Sequence, residues 1–166
     1  MRHNEVFLLV FMAVTLAACA ARSPHGGRPE PVARPSATVT AEPVTEAAFM
    51  ALSLVGTPYA AGGASVETGF DCSGLVAYVY ERALQVSLPK NTFDLARAGV
   101  AVPAAELNPG DLVFYNTQRR PFSHVGIYLG DLRFVHAPST GGAVRVEDMR
   151  LDYWTRRFDG ARRIAF

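Results

Sequence analysis

Cysteine and histidine are scarce in this chain, with two and four among its 166 residues, and each scarcity narrows the reading. Two cysteines, Cys19 and Cys72, exclude a disulfide-stapled scaffold. A formal net charge of +1 leaves no excess of one sign for a nucleic-acid groove or a polyanion partner. No internal repeat is found, which excludes a repeat array. The apolar run from Val6 to Ala18 falls short of the roughly 20 residues a membrane span needs. Nearly half of the residues are apolar, enough for one compact domain and too little for two.

The N-terminus reads as a targeting segment. Arg2 and His3 precede the apolar run, which ends Leu16-Ala17-Ala18-Cys19. That ending resembles the lipobox of bacterial lipoproteins, which implies removal of residues 1–18 and a lipid-modified Cys19. Several acyl chains on one residue would anchor the protein stably to a membrane. Ala20 follows rather than Asp, which resembles sorting to the outer membrane and implies a lipid-anchored protein on its periplasmic face. Residues 19–43 are rich in Pro, Ala, Gly, Arg and Thr, with few large apolar side chains, and read as a disordered tether. The folded domain is expected over residues 44–166.

With Cys19 assigned to lipid, Cys72 has no disulfide partner. It stands in Phe70-Asp71-Cys72-Ser73-Gly74, where a glycine-containing loop leads into an apolar stripe of Leu75, Val76, Val79, Ala83 and Leu84. Asp71 reads as the N-cap, and Cys72 falls in the first helical turn. There the helix dipole favours thiolate, the nucleophilic form. Asp71 can also place a substrate amine, and Ser73 is equally ordinary as a first-turn residue or a site residue. The backbone N–H of Cys72 is a natural donor to a tetrahedral oxyanion.

A thiol nucleophile needs a base, and the base needs a third polar group to hold its tautomer. His3 lies in the leader and His25 in the tether, leaving His124 as base and general acid and His136 to orient it. Zinc on Cys72, His124 and His136 is the competing reading, but no pair among them has the close spacing of such sites. The chemistry needs no metal or cofactor.

Elsewhere, Ala48, Phe49, Leu52 and Val55 recur at helical spacing before Gly56 and Pro58. Residues 60–69 read as a loop and 92–97 as a short helix. Strands are expected at 112–115, 124–129, 133–136, 143–147 and 162–166. Helices first and strands later predict an α+β domain, with N-terminal helices packed on a C-terminal antiparallel sheet. The two histidines share a sheet face only if their hairpin has an odd loop or a bulge. A three-residue loop at Gly130-Asp131-Leu132, setting Gly126 opposite His136, is expected.

Five blocks together resemble the NlpC family of papain-like cell-wall peptidases. They are Gly56-Thr57-Pro58-Tyr59 with Gly62-Gly63, Phe70 to Val76, Pro109 to Phe114, Ser123 to Gly130, and Phe134-Val135-His136-Ala137. The resemblance implies a papain-like fold in which Cys72 attacks peptide carbonyls of peptidoglycan stem peptides, His124 serves as base and His136 as third member. It also implies that Tyr59 lines the site beside the thiol. From the residues alone, Tyr59 is equally a half-buried aromatic packed on the Cys72 helix. The expected activity is a lipoprotein murein endopeptidase cutting stem peptides or cross-links. An amidase or acyltransferase on another substrate, and an idle wall-binding lipoprotein, are the alternatives. Arg156, Arg157, Arg162 and Arg163 read as a solvated face or as partners for acidic stem peptides. With no separate binding module in view, regulation by another protein is expected.

Overall fold

A computed structural model describes residues 43–139 and 141–165. The leader over residues 1–18, the lipidation site Cys19 and the tether up to residue 42 lie outside the described residues.

Helix α1 (Pro43–Ser53) begins one residue inside the segment read as a tether. It buries Ala47, Ala48, Ala51 and Leu54, whereas Phe49, Leu52 and Val55 are exposed. The stripe expected from hydropathy is therefore corrected: of its four members only Ala48 is buried. Small side chains let α1 approach its neighbours closely, and this close packing selected the inner face over side-chain size. Gly56 follows with φ +95°, a conformation other residues rarely adopt.

The stretch read as a loop contains a small hairpin, β1 (Ala64–Ser65) with β2 (Gly69–Phe70). Helix α2 (Cys72–Leu84) follows, and its buried face extends to Ala77 and Tyr80 beside the expected Leu75, Val76 and Val79. The Tyr80 hydroxyl donates to the Gly110 carbonyl at 2.6 Å, fixing α2 to the turn before the central strands. Helix α3 (Thr92–Leu95) is shorter than expected and is capped by Asn91, whose side chain accepts from the Asp94 N–H.

Six strands form one antiparallel sheet: β3 (Val100–Val102), β4 (Leu112–Tyr115), β5 (His124–Gly130), β6 (Arg133–His136), β7 (Arg145–Asp148) and β8 (Phe158–Arg163). Their order is β3-β8-β4-β5-β6-β7, so the last strand fills an interior position. The final strand ends at Arg163 rather than beginning at Arg162. Its charged residues hide it from hydropathy: Arg163 donates to the fully buried Asp111 at 2.9 and 2.7 Å, and Arg162 to the Ala96 carbonyl. One sheet face packs Leu112, Phe114, Val125, Ile127 and Val135 with the helices. The other carries Val113, Tyr115, Tyr128, Phe134 and Ala161 beneath Trp154 of the short helix α4 (Asp152–Thr155).

The β5–β6 hairpin corrects the expected loop. Its turn is two residues, Asp131 and Leu132, both left-handed, and an irregularity at Leu129 shifts the register between Tyr128 and Gly130. Ile127 faces Val135 and Tyr128 faces Phe134, which sets Gly126 level with His136. The bulge does what an odd loop would have done, and the two histidine rings share a face.

Candidate active site

Asp71 caps α2. Its Oδ1 accepts from the Gly74 N–H at 2.7 Å and from the Ser73 hydroxyl at 3.0 Å, while Oδ2 accepts from the Gly62 N–H. The buried Ser73 hydroxyl lies between this carboxylate and the Lys90 carbonyl, 3.0 Å away. Both side chains thus fix the loop and the helix start, the capping alternative of their sequence reading. Gly74 is required for the same reason: a Cβ there would collide with the Gly63 carbonyl.

These constraints hold Cys72, partly exposed, at the first residue of α2. Its sulfur lies against the backbone N–H groups of Val125, Ser73 and Cys72 itself. Burial nevertheless pushes the thiol up to about 11, with the Asp71 charge adding to the effect and the N–H groups opposing it. The expected thiolate is therefore not the resting form. Desolvation of the charge, with Asp71 beside it, outweighs the neighbouring N–H groups.

Tyr59 is half-buried beside this thiol. Its N–H donates to the Gly142 carbonyl, and its backbone bridges to Phe70. Burial raises its phenol, and Asp71 and Cys72 add smaller contributions in the same direction, so all three share one electrostatic neighbourhood.

The histidines are joined directly. His124 Nε2 and His136 Nδ1 are 2.7 Å apart, with the rings perpendicular. Both are almost wholly buried. Burial lowers His124 to about 4, helped by the Arg145 charge, and lowers His136 to about 2, helped by His124 and Arg145. Both rings are neutral at pH 7. Trp154 stacks on His124 and meets His136 edge-on. Cys72 meets β5 at Val125, the residue after His124, and no thiol–imidazole hydrogen bond is formed among the described residues.

Beside the histidine pair opens a cavity of about 510 Å³, lined in part by His124, His136, Arg145, Glu147, Tyr153 and Trp154. The sequence reading named none of the last four. Arg145 and Glu147 alternate on β7, a pattern that marks a strand face without marking a site. The C-terminal arginines separate: Arg162 and Arg163 bind within the fold, Arg156 pairs with Asp152, and Arg157 stacks on Tyr153.

A cysteine opening the first long helix after a loop, against an antiparallel sheet that presents a hydrogen-bonded histidine pair, defines a papain-like α+β protein. The NlpC/P60 family pattern matches residues 56–163, and the chain belongs to that family. It is 42% identical over 113 residues to the murein DD-endopeptidase MepH of Escherichia coli, across 66% of this chain and 42% of that protein. It is 40% identical over 110 residues to the gamma-DL-glutamyl hydrolase of Bacillus subtilis, across 66% of this chain and 26% of that one. An NlpC/P60 family protein from Bacillus cereus, solved by crystallography, superposes with a TM-score of 0.67 at 29% identity, across 72% of this chain and 39% of that one. The chain spans under half the length of each of these three.

Proposed function

We propose that this protein is a cysteine endopeptidase acting on peptidoglycan peptides, with Cys72 as nucleophile, His124 as base and His136 holding the His124 ring. The observation that carries the reading is the 2.7 Å bond between the buried His136 and His124, the latter on the strand whose Val125 N–H faces the helix-start thiol. His136 occupies Nε2 of His124, so Nδ1 is the nitrogen left for the thiol proton.

Thiol and imidazole rest neutral, so the proton moves from sulfur to His124 Nδ1 as sulfur attacks the carbonyl carbon. The Cys72 N–H receives the oxyanion, with Tyr59 beside it. Collapse expels the amine, which takes the proton from His124 and leaves a thioester. Water, deprotonated by His124, then releases the carboxylate and restores the thiol. The thiol–imidazole hydrogen bond absent at rest forms with substrate bound, as catalytic contacts of free enzymes commonly do. A binder that only holds the wall has no use for a buried base pair beside a thiol, which counts against the idle alternative.

On the sequence alone we further propose a leader over residues 1–18, a lipid on Cys19 and a tether over residues 19–43, the last of which opens α1. Together these would hold the domain on the periplasmic face of the outer membrane, within reach of the wall. The stem peptide or its cross-link is the proposed substrate.

Incubating wild type and Cys72→Ala with purified peptidoglycan, and weighing the released fragments by mass spectrometry, tests this. New muropeptides from wild type alone are expected, and their masses name the scissile bond. Absence of any fragment, with the thiol shown to be free, would count against the proposal.

A further inference from the structure

His136 Nε2 is buried and has no hydrogen-bond partner among the described residues, yet it does not face an apolar wall. Glu147 Oε1 stands 3.8 Å away. Glu147 is held there from two sides: Oε1 accepts from Arg145 Nε at 2.6 Å, and Oε2 from Trp154 Nε1 at 3.3 Å. The strand register supports the placement. Arg145 is opposite His136 and Glu147 opposite Phe134, so all four side chains rise from the same sheet face.

A neutral imidazole carries one N–H, and the position of that proton decides what its partner can do. If His136 carried it on Nδ1, that nitrogen would donate to a bare His124 Nε2. His124 would then hold its proton on Nδ1, the nitrogen needed to take the thiol proton. If His136 carries it on Nε2, its Nδ1 accepts from His124 Nε2–H, and His124 Nδ1 is bare. A carboxylate facing His136 Nε2 attracts an N–H there and repels a lone pair. Low polarity around the buried rings makes that preference stronger than it would be in water.

We propose that Glu147 is a positioning residue that selects the Nε2–H tautomer of His136 and, through it, the base form of His124. Arg145 and Trp154 keep the carboxylate aimed at His136. This rests on the endopeptidase reading for its consequence in turnover, but the tautomer itself is observable without substrate.

The test is nitrogen-15 NMR of imidazole-labelled protein at neutral pH, for wild type, Glu147→Gln and Glu147→Leu, alongside kcat and KM on peptidoglycan fragments. Wild type is expected to show Nε2–H on both His124 and His136. Glu147→Leu should populate the Nδ1–H form of His136 and lower kcat on the order of 10–100-fold, the loss typical when a group orienting a histidine is removed. KM should stay within about twofold, because Glu147 is given no role in binding substrate. Glu147→Gln keeps an acceptor oxygen and should fall between the two, which covers the case in which the leucine variant does not fold. Nδ1–H on His136 in wild type, or tautomers unchanged in both folded variants, would overturn the proposal. Correct tautomers in a wild type that releases no fragments would instead overturn the endopeptidase reading alone.

Discussion

At the residue scale the chemistry is decided by burial. Cys72 at about 11 and His124 at about 4 both favour their neutral forms, so the resting site stores no ion pair. Alkylation of Cys72 by iodoacetamide should therefore keep accelerating about tenfold per pH unit beyond pH 9, where an ordinary thiol has levelled off. A plateau by pH 9 would contradict this. On the acid side, His124 stays a free base until about pH 4, so turnover per folded molecule should be flat from neutral pH down to that point. Stability behaves differently. The folded histidines sit below the unfolded value of about 6.5, so the unfolded chain binds more protons as the pH falls, and the thermal midpoint should drop below pH 6.5 while the turnover of surviving enzyme does not. Paired rate and melting profiles check both. Cys72, His124 and His136 were legible because they are rare residues in a recognisable order. Their protonation states were not, since desolvation depends on packing that a motif does not display.

At the scale of elements, α2 is a device for presenting one atom. Asp71 caps it, Ser73 ties it to the Lys90 carbonyl, and Gly74 lets the Gly62-Gly63 loop lie flat against its first turn. Gly74→Ala should lower stability by about 2 kcal/mol, an ordinary cost of overpacking. It should also lower turnover further than that loss of folded protein explains, because the displaced backbone carries the thiol. A denaturant midpoint shifted at constant slope, with activity normalised to folded protein, checks this. Helix α2 and strands β4 to β6 were readable from caps, turns and apolar runs. The inner face of α1 was misread because close packing favoured alanines over Phe49 and Leu52, β3 went unread because it is short, and β8 was placed too late because it carries arginines.

At the scale of the whole molecule, the pair of Asp111 and Arg163 joins the turn before β4 to the end of β8. Asp111 is fully buried and also accepts from the Asn108 N–H at 2.8 Å, while the Arg163 side chain remains one-third exposed. Asp111→Ala should cost about 3 kcal/mol, the lower end for breaking a buried pair, since the orphaned guanidinium can still reach water. Thermal melting reads this directly, and a loss under about 1 kcal/mol would show that the pair is ornamental.

The position of β8 between β3 and β4 has a consequence in time. A growing chain can form the α2 helix and the β4-to-β7 meander while residues 158–163 are still unsynthesised, but the slot beside β4 stays empty until they arrive. Strand pairings between distant parts of a chain form late. The proposed nucleophile and its base can thus come together before the sheet that steadies them is closed, so the site should reach its final geometry only once residues 158–163 have paired. For a domain proposed to cut the cell's own wall, a topology in which β8 closes the sheet late is a built-in delay.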